Sequence, residues 1–108
     1  MISEASFQQL VIETAQWNGW KVLHVLPARN QRGKWLSSQA GDFGFPDLVL
    51  AHRDRGVIFA ELKTMIGKVT ENQQDWLTTL KAGGAEVYVW RPSDWNEIKA
   101  ILTERKPT

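Results

Sequence analysis

Apolar positions along this chain recur first at helical spacing, then in short unbroken runs, and then at helical spacing again. Phe7, Leu10, Val11 and Thr14 follow a helical period up to about Trp17, with Ser3 as N-cap and Ile2 and Phe7 placed as a hydrophobic staple. Asn18-Gly19 stops that helix. KVLHVL, residues 21–26, is short and rich in β-branched residues, and it predicts a first strand. Residues 27–45 hold glycine and proline with little periodicity and read as a long loop, a class that is often functional.

Two apolar runs follow, DLVLA at 47–51 and VIFAELK at 57–63, joined by HRDRG, which is turn chemistry of hairpin length. Their near-continuous apolar character predicts strands covered on both faces, in the middle of a sheet. The second helix runs from Thr70 to about Ala82. Thr70 and Gln73 form its capping box, Trp76, Leu77 and Leu80 supply its stripe, and Gly83-Gly84 end it. AEVYVW, residues 85–90, is a fourth strand, and Pro92 and Ser93 open a last helix with Trp95, Ile98 and Leu102 on one side. The order α-β-β-β-α-β-α combines a hairpin with a strand-helix-strand crossover, expected to be parallel and right-handed. It predicts an α/β fold with a central mixed sheet and helices on both faces.

Composition narrows the class. A chain of 108 residues is the size of one domain, here 1–108. The absence of cysteine excludes a disulfide scaffold and thiolate metal sites, and fits a reducing, cytoplasmic setting. His24 and His52 lie far apart, which argues against zinc. The first residues are too acidic and polar for a signal peptide, and no apolar run approaches the roughly 20 residues that span a bilayer, so a soluble intracellular protein is expected. Six tryptophans are many for a short chain; Trp17 or Trp35 at an interface is one account, and core packing is the more economical one for each.

The net charge of +1 says little as a total, and its distribution says more. No acidic residue stands between Thr14 and Gly41, whereas Lys21, Arg29, Arg32 and Lys34 all do. Such a segment is either a solvated loop or part of a nucleic-acid footprint. On the second reading Arg29, Arg32 and Lys34 are the DNA-binding candidates.

Charges also stand at the ends of the two central strands. Side chains alternate along a strand, so Phe59, Glu61 and Lys63 share one face, and Glu61 and Lys63 are neighbours. In a hairpin the start of the first strand lies beside the end of the second, which brings Asp47 to Glu61. Two carboxylates and an ammonium then converge at one sheet edge. Ions in a partly dry site cost several kcal/mol each unless partners or a metal compensate. Hard oxygen donors without sulfur or imidazole suit Mg²⁺ or Mn²⁺. The plainer alternative is a structural salt bridge. The E-x-K spacing alone is weak, being expected about 0.4 times by chance in such a chain, and Glu97-Ile98-Lys99 and Glu104-Arg105-Lys106 match it too. Only Glu61-Leu62-Lys63 ends an apolar strand with an aspartate opening the strand before it. Glu4, on the helix face of Phe7, Gln8 and Val11, either reaches the same edge or merely favours the positive end of its helix. Gln73 is explained by the capping box alone.

GFPD at 44–47, AELK at 60–63, the T-x-x-Q opening of the next helix and LKAGGAEVYVWRPSDW at 80–95 together resemble a stand-alone VRR-NUC domain of the PD-(D/E)XK nuclease superfamily. The likeness runs over residues 1–102. Small members of this kind are common in bacteriophage genomes. The resemblance implies a restriction-endonuclease-like αβββαβ core plus a C-terminal helix, and a divalent-metal-dependent DNA endonuclease. It implies Asp47 and Glu61 as metal ligands with the backbone carbonyl of Leu62, Lys63 as the catalytic lysine, Glu4 as a further contributor to the metal site, and Gln73 in support. Small enzymes of the superfamily often form homodimers, and those like Holliday-junction resolvases cut branched DNA symmetrically. One departure stands out: many relatives reach GFPD through a shorter segment with an arginine soon after the first strand, a role that falls here to Arg29 or Arg32. The competing reading is a nucleic-acid-binding module that keeps the fold and is non-catalytic or depends on a partner.

Overall fold

Ser3 opens the first helix as expected: its hydroxyl accepts the backbone N–H of Ser6 at 3.1 Å, and α1 spans Glu4–Trp17. A computed structural model describes residues 2–25 and 41–104 of the chain. Helix α1 stops in a double bond pattern, Trp20 N–H to Ala15 O at 3.0 Å and Gly19 N–H to Gln16 O at 3.1 Å. Gly19 takes the left-handed φ of 89° that this closure requires. Strand β1 is Lys21–His24, β2 is Leu48–His52, and β3 is Gly56–Leu62. Helix α2 is Glu71–Ala82, β4 is Glu86–Trp90, and α3 is Trp95–Thr103 after a 3₁₀ turn at Pro92–Asp94.

The four strands form one sheet in the order β1-β2-β3-β4. Strand β2 pairs antiparallel with both β1 and β3, and β3 pairs parallel with β4. The two runs read as central strands therefore are central. Register decides the faces. Leu48 opposes Ala60 and Leu62 opposes Trp90, and all four lie in a core closed by Phe7, Val11 and Ala15 of α1 and Ile98, Ile101 and Leu102 of α3. Helix α2 covers the other face, where Leu77 shares a groove with Val87 and Val89 and Phe45 packs edge-on against Phe59 and Trp76. This is the mixed sheet with helices on both faces that the sequence predicts.

Some details differ. Strand β1 ends at His24, and Leu26, with the loop residues 27–40, lies outside the described residues. Trp17 is 91% exposed, so core packing does not account for it. It stands two positions after Ala15, about 200° round the helix from the buried stripe. Trp20 and Trp90 are core residues, Trp76 and Trp95 are half-buried, and Trp35 lies outside the described residues.

A partly buried ion pair absent from the sequence reading ties the far end of the sheet together. Arg55, in the β2–β3 turn, donates to both carboxylate oxygens of Glu86 at 2.7 Å, and the Tyr88 hydroxyl donates to the same group. Among the described residues no helix is long and apolar enough to cross a membrane.

Candidate active site

Asp47 stands immediately before β2, where the segment GFPD enters the sheet. Gly44 makes that entry possible. Its φ is 98°, and a side chain there would stand 2.6 Å from the backbone of Asn72 and 2.8 Å from that of Gln73. The segment thus lies directly on the first turn of α2, and Trp76 fastens it by donating to the Asp42 carbonyl at 3.2 Å. On its other side, Val25 N–H donates to the Asp47 carbonyl at 2.8 Å, extending the β1–β2 ladder.

The Asp47 side chain crosses the hairpin. Its Oδ2 accepts the backbone N–H of Leu62 at 2.8 Å, between Glu61 and Lys63. Glu61 is 1% exposed, and its Oε2 lies 3.4 Å from Lys63 Nζ. Its Oε1 is buried without a hydrogen-bond partner. Asp47, Glu61 and Lys63 therefore meet at one edge, as the alternation of the strand and the geometry of a hairpin predict.

The electrostatics are those of crowded carboxylates. Burial pushes the Glu61 carboxyl up to about 7, with the Asp47 charge adding to the effect and the Lys63 ammonium and Asp47 backbone N–H opposing it. Burial likewise raises Asp47, against the Leu62 N–H and the Lys63 charge; Glu4 raises it further and His24 lowers it. Glu4 thus stands close enough for its charge to act on Asp47, at the first turn of the helix whose Phe7 and Val11 are buried on the sheet.

Gln73 closes the capping box, accepting the Thr70 N–H at 2.9 Å while its own N–H donates to Thr70 Oγ1 at 3.2 Å. The cap explains this residue fully, although it also borders the Gly44 segment. Arg29, Arg32 and Lys34 lie outside the described residues.

Three residues join the site without having been singled out. His24 ends β1 opposite Leu48, next to Asp47, and its Nδ1 lies 3.1 Å from Gln8 Nε2. Gln8 is one helical turn beyond Glu4, so both face this edge. The signal was the antiparallel neighbour: once β1 pairs with β2, its last residue must lie beside the start of β2. Arg91 is the third addition, its Nη1 donating to Thr64 O at 2.6 Å and Gly67 O at 2.7 Å, which pins the segment after Lys63.

Among the described residues no three histidine, aspartate or glutamate side chains gather into a cage for an ion. The donor set is a carboxylate pair, and it fits a hard divalent cation: one carboxylate oxygen is buried and unpartnered, and each acid is raised by burial.

The model of the VRR-NUC domain family matches residues 4–94. Among solved structures, a VRR_NUC domain protein superposes with a TM-score of 0.55 at 20% identity, over 93% of this chain and 85% of its own. No curated protein matches.

Proposed function

Since the chain belongs to the VRR-NUC domain family, whose members are nucleases, we propose that it is a divalent-metal-dependent endonuclease hydrolysing the phosphodiester bonds of DNA. The observation that carries this reading is Glu61, a carboxylate buried on the central strand with one oxygen unpartnered, beside a second carboxylate and an ammonium. A purely structural salt bridge would leave neither an orphan oxygen nor an extra carboxylate in a dry place.

Asp47 and Glu61, with the Leu62 carbonyl and Glu4, are the residues that would hold Mg²⁺ or Mn²⁺. A divalent ion supplies a lowered pKa for water and neutralises charge gathering on the phosphate. The chain's own groups do the rest. The hydrogen bond from Leu62 N–H fixes the Asp47 carboxylate and so the spacing of the acid pair. Lys63, held by Glu61, sets a positive charge where a phosphate oxygen or the attacking water is oriented. Water attacks phosphorus in line, the opposite P–O bond breaks, and the products are a phosphomonoester and a free hydroxyl. The cap formed by Gln73 keeps the first turn of α2 under the GFPD segment. Arg29, Arg32 and Lys34 would contact the phosphate backbone, giving salt-sensitive affinity. A two-fold dimer acting on branched DNA, in a bacteriophage setting inside the host cytoplasm, completes the reading; a monomer by light scattering would remove the dimer.

The test is cleavage of a labelled four-way junction, flap, duplex and single strand, with Mg²⁺, Mn²⁺ or EDTA, by the wild type and Lys63→Ala. Metal-dependent cutting that disappears in the variant is the expected result. Salt-sensitive binding with no cutting of any substrate would replace the nuclease by a binding module.

A further inference from the structure

Among the described residues β4 is an outer strand of the sheet, with β3 on one side only. Lys63 N–H donates to the Trp90 carbonyl at 3.0 Å, in a parallel register that sets Leu62 beside Trp90. Backbone groups turn alternately to either side of a strand. Glu86, Tyr88 and Trp90 therefore direct theirs at β3, whereas Val87 and Val89 direct theirs at the open edge. Such an edge is a template for pairing, and proteins commonly blunt it with lysine, proline or a bulge. At the opposite edge, β1 opens with exposed Lys21. Strand β4, EVYVW, carries no lysine or proline, and its register with β3 runs without a bulge from Glu86 to Trp90. Its one charge, Glu86, is held by Arg55 at 2.7 Å. The edge borders a groove of about 480 Å³ between β4 and α2. Leu77, Val87 and Val89 are its apolar floor, and exposed Gln74, Thr78 and Lys81, which share a face of α2, are its wall. No carboxylate lines it.

We propose that this edge and groove bind an extended segment of a partner protein, added to the sheet as a further strand. Its alternate apolar side chains lie over Leu77, Val87 and Val89, and a carboxylate of the segment meets Lys81. The surface uses none of Asp47, Glu61 and Lys63, and the proposal does not depend on the nuclease reading. The occupant follows from chemistry. Val87 and Val89 offer donors and acceptors together, two positions apart, and another extended backbone matches both along its length. A phosphate backbone, which supplies acceptors alone, would leave the two carbonyls without donors. The one charge in the lining is the Lys81 ammonium, so the complementary segment is acidic. In recognition of this kind, main-chain hydrogen bonds give affinity and sites for alternate side chains give specificity.

The test uses the full chain and a short synthetic peptide that alternates valine and threonine, with glutamate at both ends. Three further peptides serve as comparisons: one with lysine at both ends, one N-methylated on its valine amides, and one N-methylated on its threonine amides. Amides of only one residue type face β4, so one methylated form should lose about tenfold or more in affinity while the other binds like the parent. On binding, the Val87 and Val89 amides should gain protection from hydrogen exchange, and that of Tyr88, already in the ladder with β3, should not change. Lys81→Glu should melt like the wild type, because this side chain is exposed. It should weaken the parent peptide about three- to tenfold and favour the lysine-ended one. A parent peptide that does not bind would overturn the proposal outright. Equal binding by both methylated forms, or unchanged exchange at Val87 and Val89, would overturn the added strand. Protection of these amides that rises with the concentration of the protein alone would also overturn it, assigning the edge to a second copy. The same protection conferred by a DNA duplex would assign the edge to nucleic acid instead.

Discussion

Asp47 reaches across the hairpin to accept the backbone N–H of Leu62 at 2.8 Å, so one candidate metal ligand fastens the strand that carries the other. Leu62 is buried, which means that no water replaces the lost partner when the carboxylate is removed. Asp47→Ala should therefore destabilise the protein by about 1–3 kcal/mol in urea unfolding, the cost of a buried unsatisfied donor. Asp47→Asn keeps an acceptor of the same shape and should lose well under half of that. Both variants should be inactive in cleavage while retaining DNA affinity. An Asp47→Asn protein that cuts at the wild-type rate would remove Asp47 from the metal site.

The raised carboxyl of Glu61 sets a pH dependence of stability for the metal-free protein. Its folded-state value of about 7 stands above the ordinary 4.5, so the folded state binds the extra proton between these limits. Stability then falls as pH rises through that window, because the folded state must release a proton that the unfolded chain has already lost. Asp47, also raised, adds a contribution of the same sign. In EDTA the melting temperature should be higher near pH 5 than near pH 8. Glu61→Gln should flatten the profile and stabilise the protein at pH 8 by on the order of 2 kcal/mol, since it removes a charge confined beside Asp47. A profile that rises from pH 5 to 8 in the wild type would contradict the burial of this pair.

The meeting of Asp47, Glu61 and Lys63 was legible because two local rules fix it: alternation along β3, and the return of β2 beside it in a two-strand hairpin. The central place of both strands was legible from their unbroken apolar runs. Strand β1 was not placed by its own residues, since LHV pairs equally well on paper with several neighbours, so the approach of His24 and Gln8 to Asp47 went unseen. Arg91 binds carbonyl oxygens, which every residue possesses, and no sequence spacing announces such a contact. Trp17 misled through composition, because the count of tryptophans says nothing about the helix face on which each falls.

Arg91 supplies a prediction about local order. A single guanidinium nitrogen holds Thr64 O and Gly67 O, and among the described residues the turn itself adds the hydrogen bond from Gly67 N–H to the Thr64 hydroxyl. Arg91→Ala should speed amide hydrogen exchange across residues 64–68 while leaving the Trp20 indole bond to Leu102, on the opposite face, protected. The global cost should be about 1–3 kcal/mol, typical of hydrogen bonds from a charged donor. Unchanged exchange in the turn would show that its order comes from elsewhere.

Gly44 and Gly41 separate two ways in which a glycine can be required. Both adopt left-handed backbone, with φ of 98° and 107°. A side chain at Gly41 would meet nothing within 4 Å, whereas one at Gly44 would stand 2.6–2.8 Å from the backbone of Asn72 and Gln73. Gly41→Ala should therefore cost only the conformational term, about 1 kcal/mol. Gly44→Ala adds a clash with backbone that no rotamer relieves, and should cost about 1–3 kcal/mol more. The larger effect should appear in function as well, since pushing residue 44 off α2 displaces Asp47 three positions later, and small misplacements of a reacting group cost about a hundredfold. The comparison of urea midpoints and cleavage rates for the two variants carries the argument. Equal losses in both would mean that contact with α2 does not position Asp47, and that the glycine of GFPD serves the backbone turn alone.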